Sequence, residues 1–383
     1  MKKLSLAILS ILMVLAPLSA FEWGGLLDNT SQLIYMNSEK SSESNPLSVA
    51  QSDAIYLWAS APLKADGSIY IKSEGMYKFS YTSGVISHIA DLDLLKCAGS
   101  IPMGKAALDF SAGRFSISDI SGAVFNQNCD GAYINYTSPI IGFSAYAGYT
   151  GLLNSNVVYM LGKDGRKHIP ENKVYAFSNP YIPVSASVSF PYLFLNQSLS
   201  IQGNGFIDLS ENKYNRIYGA LSLSGAVTPV VFYNFVTDFG SDFETNIMNY
   251  TKLNFSIFAG KSLITTGIEY ASGNHGIFSA FKGFSTHTAY SSGTGDAELS
   301  GVILASLGAN CPIGTNLLIA SNLKGVFACP EKEIIPAGLQ ADCSYIYNIF
   351  SDLQLTALFS DFFSFNKNYT NKLSATVKIA LSF

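Results

Sequence analysis

The chain has 383 residues and a formal net charge of −4, with 23 Lys plus Arg against 27 Asp plus Glu. Only 13% of residues are charged while 48% are hydrophobic, including 22 Tyr and 26 Phe. This composition excludes a disordered chain, and the slightly acidic balance without a basic run excludes the electrostatic footprint of a nucleic-acid binder.

At the N-terminus, Lys2 and Lys3, the apolar run from Leu4 to Leu15 and the small residues Ser19 and Ala20 before Phe21 read as an export signal over residues 1–20. Residues 21–383 are then expected to form one domain. Beyond residue 20 no stretch reaches the ~18 consecutive apolar residues of a membrane helix, although the mean hydropathy is +0.24. Hydrocarbon requires every backbone polar group to be paired internally, so an exported, apolar chain without helical spans predicts an all-β fold: a transmembrane antiparallel β-barrel. A soluble secreted β-protein is the competing reading.

In chain order, strands are expected near 24–36, 52–62, 68–81, 87–101, 105–117, 130–137, 140–152, 183–190 and 197–208. They continue near 214–225, 229–237, 246–258, 261–272, 295–308, 314–328, 334–348, 351–363 and 370–383, giving 18 strands with 16 as the alternative count. The basis is period two. Ile69, Ile71, Tyr77, Phe79 and Tyr81 alternate with Tyr70, Lys72, Glu74, Lys78 and Ser80, and Leu253, Phe255 and Ile257 alternate with Lys252, Asn254 and Ser256. The last segment is apolar at every odd position from Leu373 to Phe383, whereas helical spacing would scatter those residues around the axis. The polar phase is mostly Ser, Thr, Asn and Gly, which suits a crowded wet lumen; the aromatic-rich phase suits lipid. Connections alternate between tight turns such as 102–105 and long loops such as 37–49, 119–131, 154–181 and 273–296. Counting from a C-terminal strand that ends on the periplasmic side, the long loops fall outside and both termini fall inside.

Projecting the alternation onto charges nominates Lys72, Lys78, Arg114, Arg216, Lys252, Lys324 and Lys378 against Glu74, Asp91, Asp93, Asp109, Glu298, Asp342 and Asp352 as lumen-facing residues. The balanced set predicts a weakly selective wet interior, because strong selectivity needs a ring of one sign; mutual pairing of these charges is the structural alternative. Phe110 and Phe115 lie on opposite phases, which suggests a β-bulge near Ala112 and Gly113 that turns Arg114 into the lumen beside Asp109. No catalytic constellation emerges: His88 lies on the phase opposite Asp91 and Asp93, while His168, His275 and His287 fall in loops. No metal or cofactor motif is present, and of the five cysteines Cys97 and Cys129 flank neighbouring strands while Cys343 reads as lipid-facing.

The export signal, the alternating segments and the ending Ile379, Ala380, Leu381, Ser382, Phe383 resemble Gram-negative-type outer-membrane proteins, in which a C-terminal Phe marks the last strand for the barrel assembly machinery. The stretch from Leu108 to Ile117, followed by Asp119 and by Asp130 and Gly131, is similar to the early strands of porin-like proteins. That resemblance implies a loop after the fifth strand that folds inward and narrows a pore, with Asp119 and Asp130 as constriction-loop candidates facing Arg114. It further implies outer-membrane lipid and the assembly machinery as partners, a possible homo-oligomer, and passive diffusion of small hydrophilic solutes rather than enzymatic activity. The rival functions are transport of hydrophobic compounds and a surface adhesin acting through the long loops.

Overall fold

The computed structural model describes residues 21–37, 47–150, 160–163, 179–194, 196–211, 213–244 and 247–383. The expected export signal lies outside the described residues, as does His168.

The strands are β1 (Glu22–Asn37), β2 (Leu47–Pro62), β3 (Ile69–Thr82), β4 (Val85–Met103), β5 (Ala106–Ser118), β6 (Asn126–Thr137), β7 (Gly142–Tyr149), β8 (Tyr181–Phe194), β9 (Gln197–Asp208) and β10 (Arg216–Thr228). They continue with β11 (Val231–Ser241), β12 (Met248–Ala259), β13 (Ser262–Ala271), the short pair β14 (Thr288–Ser292) and β15 (Gly295–Glu298), then β16 (Val302–Ile313), β17 (Leu317–Ala328), β18 (Ile335–Asn348), β19 (Leu353–Ser364) and β20 (Asn371–Ser382). Each barrel strand pairs antiparallel with its chain neighbours, β13 with β16, and β20 closes onto β1, giving one 18-stranded sheet without an edge. Closure satisfies the backbone in a setting that offers no water.

All 18 expected segments correspond to barrel strands, so the count of 16 is set aside. Several boundaries shift by a few residues, β2 beginning at Leu47 and β6 at Asn126, and the segment expected at 295–308 is two elements, β15 in a separate hairpin and β16 in the wall.

Register identifies the two faces. In β20, Lys372 reaches the hairpin residue Ser291 and Lys378 reaches Asp28 of β1, so even positions there point inward. Leu373, Val377 and Ile379 on the odd phase are exposed on the outer wall, as are Leu27, Leu33 and Tyr35 of β1. The two outer rims of β1 carry Trp23 and Tyr35, the aromatic placement expected at the boundaries of a hydrocarbon band.

The expected bulge is displaced by one strand. β5 keeps a continuous register against β4 and β6 through Gly113, which takes φ 120°, and the extra residue lies in β4 instead, where Asp93 is passed over between Leu92↔Gly75 and Leu94↔Glu74. A Cβ on Gly113 would come within 2.1 Å of the Leu95 carbonyl oxygen, so both conformation and contact demand glycine. Phe110 and Phe115 need no bulge, because Phe115 points inward and packs against Tyr133 and Tyr146.

Candidate functional site

The interior at the long-loop end is built from chain that turns back into the barrel. Asp119, the first residue after β5, folds the loop 119–125 around its own carboxylate, which accepts the backbone N–H groups of Ser121 (2.9 Å), Val124 (3.2 Å) and Phe125 (2.7 Å). This staple turns Val124 and Phe125 inward, where they are 0% and 1% exposed. The Ile120 N–H donates to Gln202 of β9 (2.7 Å), fixing the loop to a strand four places around the wall.

A second segment, 272–287, is zipped to the first. The N–H groups of Phe284 and Ser285 donate to the Val124 carbonyl at 2.7 and 3.0 Å, and the Asn126 N–H donates to Ser285 Oγ at 3.0 Å. Phe284 stacks on Phe206 with ring centroids 4.1 Å apart and meets Phe125 and Tyr181 edge-on. Such aromatic pairs add about 0.5–1.5 kcal/mol each beyond area burial. Arg216 anchors the same loop from the wall: Nη1 donates to the Gly283 carbonyl at 2.7 Å, and the guanidinium lies 4.7 Å from the Tyr214 ring and 5.1 Å from Phe284. The Tyr218 hydroxyl donates to the Lys282 carbonyl and the Leu161 N–H to the Phe284 carbonyl, bringing residues 160–161 into the same pile.

The hairpin β14–β15 covers the neighbouring part of the wall. Lys324 of β17 donates to the Ala289 carbonyl (2.8 Å), Gln340 of β18 accepts the Ser291 N–H (3.3 Å), and Tyr290 stacks on Phe362 of β19 at 5.5 Å. His287, at the entry to this hairpin, is half-buried, and burial holds its imidazole below the usual histidine range with Glu269, Lys252, Lys324 and Glu298 around it. Among the described residues, no hydrogen bond, ion pair or ring contact joins these inward segments to β1, β2 or β3. That sector carries Asp28, Tyr56, Trp58, Lys72, Glu74, Met76 and Lys78 on its inner phase.

The nominated residues divide accordingly. Lys72, Glu74 and Lys78 of β3, Asp91 of β4, Asp109 of β5, Lys252 of β12, Lys324 of β17, Asp342 of β18 and Lys378 of β20 lie on the inner phase. Asp93 is the extra residue of β4 and Asp352 lies in the turn between β18 and β19. Glu298 is on the hairpin rather than the wall, where it accepts the His287 N–H at 2.9 Å. Arg216 is inward but 1% exposed beneath the loop.

Arg114 departs furthest from expectation. It lies in register with Leu95 and Asp130, on the phase opposite Asp109 and Ser111, and is 4% exposed. Its Nε and Nη2 grip both oxygens of Asp130 at 2.9 and 3.0 Å, Nη1 donates to the Leu92 carbonyl at 3.1 Å, and Asp91 stands at 3.7 Å. The extra residue at Asp93 is what carries the backbone of β4 over this guanidinium. Asp130 belongs to β6 and pairs with Arg114 side by side, so it is not a loop residue facing Arg114 across a pore; Asp119 is buried in its own turn.

Sequence reasoning missed Asp28, which pairs with Lys378, and Glu269, which stands 3.7 Å from Lys252. The exposed phase of Leu27, Leu33 and Tyr35 marks Asp28 as inward, and Ile264 and Ile268 mark Glu269 likewise. The aromatic pile of Phe125, Phe206 and Phe284 carries no such signal, because its members come from a loop, a strand and a second loop far apart in sequence. Beneath loop 119–125 a cavity of about 540 Å³ remains, lined by Lys96, Ser111, Ser144, Ser187, Tyr133 and Tyr146 among others. Its wall approaches closely because Gly131 and Gly148 leave room for the Tyr146 ring; a Cβ at either would meet it at 2.7 Å or less.

No family model and no curated protein matches the sequence. Solved structures do match over nearly the whole chain. A BenF-like porin from Pseudomonas fluorescens Pf-5 superposes with a TM-score of 0.62 at 11% identity, covering 95% of this chain and 99% of the other. Pseudomonas aeruginosa OpdK, solved with vanillate, gives 0.61 at 11% identity over 94% and 99%, and OccK2 (OpdF) of the same organism gives 0.60 at 13% over 94% and 98%. In fold, this 18-stranded barrel is similar to these porins over nearly its whole length.

Proposed function

We propose that the protein is an outer-membrane channel through which small hydrophilic solutes diffuse passively. The observation that carries this reading is the uneven interior: inward loops are bonded to the wall over β5–β13 and β16–β20, and the charged inner phase of β1–β3 receives no hydrogen bond, ion pair or ring contact from them among the described residues. Lys72, Glu74 and Lys78, with Asp28 and Lys378, line that sector and supply both signs of charge, so both anions and cations find a partner along it. Asp91, Asp93, Asp109, Lys252 and Asp342 continue the polar lining, while Arg216, Lys324 and Glu298 hold the loops that set the width. The barrel is embedded in outer-membrane lipid, and Phe383 is the residue the assembly machinery reads. In support of that role, β20 is held in place to its last residue: the Phe383 N–H and carbonyl bond to Gly25 at 3.0 and 2.9 Å, and the ring is 55% exposed. The chain performs no catalysis in this account.

Refolded protein added to a planar bilayer is expected to give discrete conductance steps. A protein that inserts, as shown by heat-modifiable migration on a gel, yet passes no current would overturn the channel reading.

A further inference from the structure

The inner wall changes character around the barrel. On β3 and β4 the inward positions carry Lys72, Glu74, Lys78, Asp91 and Lys96. From β6 to β9 two adjacent rows of inward positions carry no charge: Asn135, Ser144, Ser187 and Gln202 in one, Tyr133, Tyr146, Ser185 and Asn204 in the next. Register sets these side chains beside one another, Ser144 against Ser187, Ser187 against Gln202 and Tyr133 against Tyr146. Much of this uncharged wall lines the cavity of about 540 Å³ beneath loop 119–125, with Ile120 and Phe125 of the loop as its roof. That volume falls within the ~300–1,000 Å³ of small-molecule sites.

The bonds inside the cavity fix its lining and leave much of it unused. Gln202 Oε1 accepts the Ile120 N–H at 2.7 Å and Nε2 donates to Ser185 Oγ at 2.9 Å, which ties the loop to the wall and holds the amide in one orientation. Ser144 and Ser187 share a single hydrogen bond of 2.7 Å, so one hydroxyl hydrogen of the pair stays free and both oxygens keep acceptor capacity. Ser185 keeps its own O–H. The hydroxyls of Ser111 and Tyr133 have no hydrogen-bond partner among the described residues, and the half-buried Tyr133 ring lies against Phe115 with centroids 6.4 Å apart.

Donors and acceptors occur here on the same groups, and that pattern selects the solute. A site for an anion is built from donors alone, such as ammonium, guanidinium and N–H groups. Hydroxyls and amides both give and accept, which matches a solute that is itself covered in hydroxyls. Lys96 is the one ionised side chain of the lining, and it stands at the edge toward β3, in register with Lys72. The aromatic ring beside the hydroxyls offers a surface to the apolar C–H face of a sugar ring.

We infer that the cavity beneath loop 119–125 is a binding subsite for an uncharged, polyhydroxylated solute, a sugar or polyol. Its hydroxyls bond to Ser111, Ser144, Ser185 and Ser187, and its apolar face lies on the Tyr133 ring. The inference rests on the channel reading for the route the solute takes and adds its chemical class.

Glucose and glucuronate test it, because the two rings differ only in carrying a CH2OH or a carboxylate on the same carbon. In single-channel recordings of wild type, glucose is expected to add current noise that saturates with concentration and is independent of salt, since no charge is neutralised. Ser144→Ala with Ser187→Ala is expected to weaken glucose binding about tenfold, the worth of two hydrogen bonds. Tyr133→Leu, which removes the ring alone, is expected to weaken it several-fold; heat-modifiable migration checks the folding of each variant. Saturation-transfer NMR on the detergent-solubilised protein reads glucose binding without conduction. Conductance steps with neither glucose noise nor NMR transfer would overturn the subsite and leave the channel standing. Transfer that is lost in the double variant, in a protein that gives no steps, would support the subsite and overturn the channel. Equal glucose binding in wild type and both variants, or tighter binding of glucuronate than of glucose, overturns the proposal.

Discussion

Two sectors of one lumen are built from the same strand grammar and end in opposite states. Against β5–β13, inward side chains such as Phe206, Tyr218, Val236 and Tyr250 are nearly sealed and meet loop residues that are themselves buried. Against β1–β3, the inward side chains Tyr56, Lys72, Glu74, Met76 and Lys78 remain half-buried with charges of both signs. The difference lies in the loops above: Asp119 gives one loop an internal carboxylate to fold around, and Phe284 gives the next an aromatic socket to enter. A barrel wall therefore does not determine how its interior is filled, and a few residues in two loops decide which sector becomes core.

The comparison breaks most visibly at Phe284. Phe284→Ala removes the ring stacked on Phe206 and is expected to cost about 3–5 kcal/mol locally, enough to free loop 272–287 from its socket. Single-channel recording should then show a conductance several-fold higher and noisier than wild type, with the barrel still resistant to heat in detergent. An unchanged conductance would mean that the loop does not set the bore.

Arg114 tests the wall between the sectors. Arg114→Ala leaves Asp130 buried without its bidentate partner, a change that costs about 3–5 kcal/mol when a buried pair loses one member. A lower midpoint in denaturant unfolding is expected, with a reversal potential under a salt gradient close to that of wild type. In contrast, Lys72→Glu with Lys78→Glu alters charge within the open sector and should move the reversal potential toward cation preference by a few tens of millivolts, an effect that shrinks as salt rises.

How much of the fold is legible in the sequence depends on the range of the interaction. The 18 wall strands follow from period two, a signal carried by each strand alone, and the inward phase of Lys72, Glu74, Lys78 and Lys378 follows with it. Asp119 was singled out as a constriction-loop residue and does begin an inward loop, although its carboxylate staples the turn instead of facing a pore. Arg114 differs from expectation because opposite phases for Phe110 and Phe115 need no extra residue in β5; the wall turns an inward aromatic into the core of a loop and puts its bulge at Asp93. Period two joins β15 to β16 and leaves β14 inside the expected loop 273–296, since a short strand in a loop carries the same alternation as the wall. Asn29 and Asp53 depart from the apolar outward phase, a departure that period two does not predict.

The smallest expected effect is on pH. Burial favours neutral His287, so its folded-state pKa lies below the unfolded value of about 6.5, and the unfolded state takes up the proton first as pH falls. Hairpin stability present at neutral pH is therefore lost as pH drops through and below about 6.5. Wild type should show more open-channel noise at pH 5 than at pH 7, and His287→Gln should flatten that dependence. An equal rise in noise in the variant would assign the effect to the carboxylates.

The central claim is that ions travel beside β3 and not through the filled sector, and cysteine accessibility during current recording tests it most directly. Met76→Cys lies on the inward phase of β3, whereas Ala220→Cys lies on the inward phase of β10 at a position only 3% exposed. With wild type as the control for the five native thiols, a charged methanethiosulfonate reagent is predicted to cut the current of Met76→Cys within seconds of addition and to leave Ala220→Cys unchanged. Rapid block at Ala220→Cys with none at Met76→Cys would place the path in the sector described here as filled, and would contradict the account.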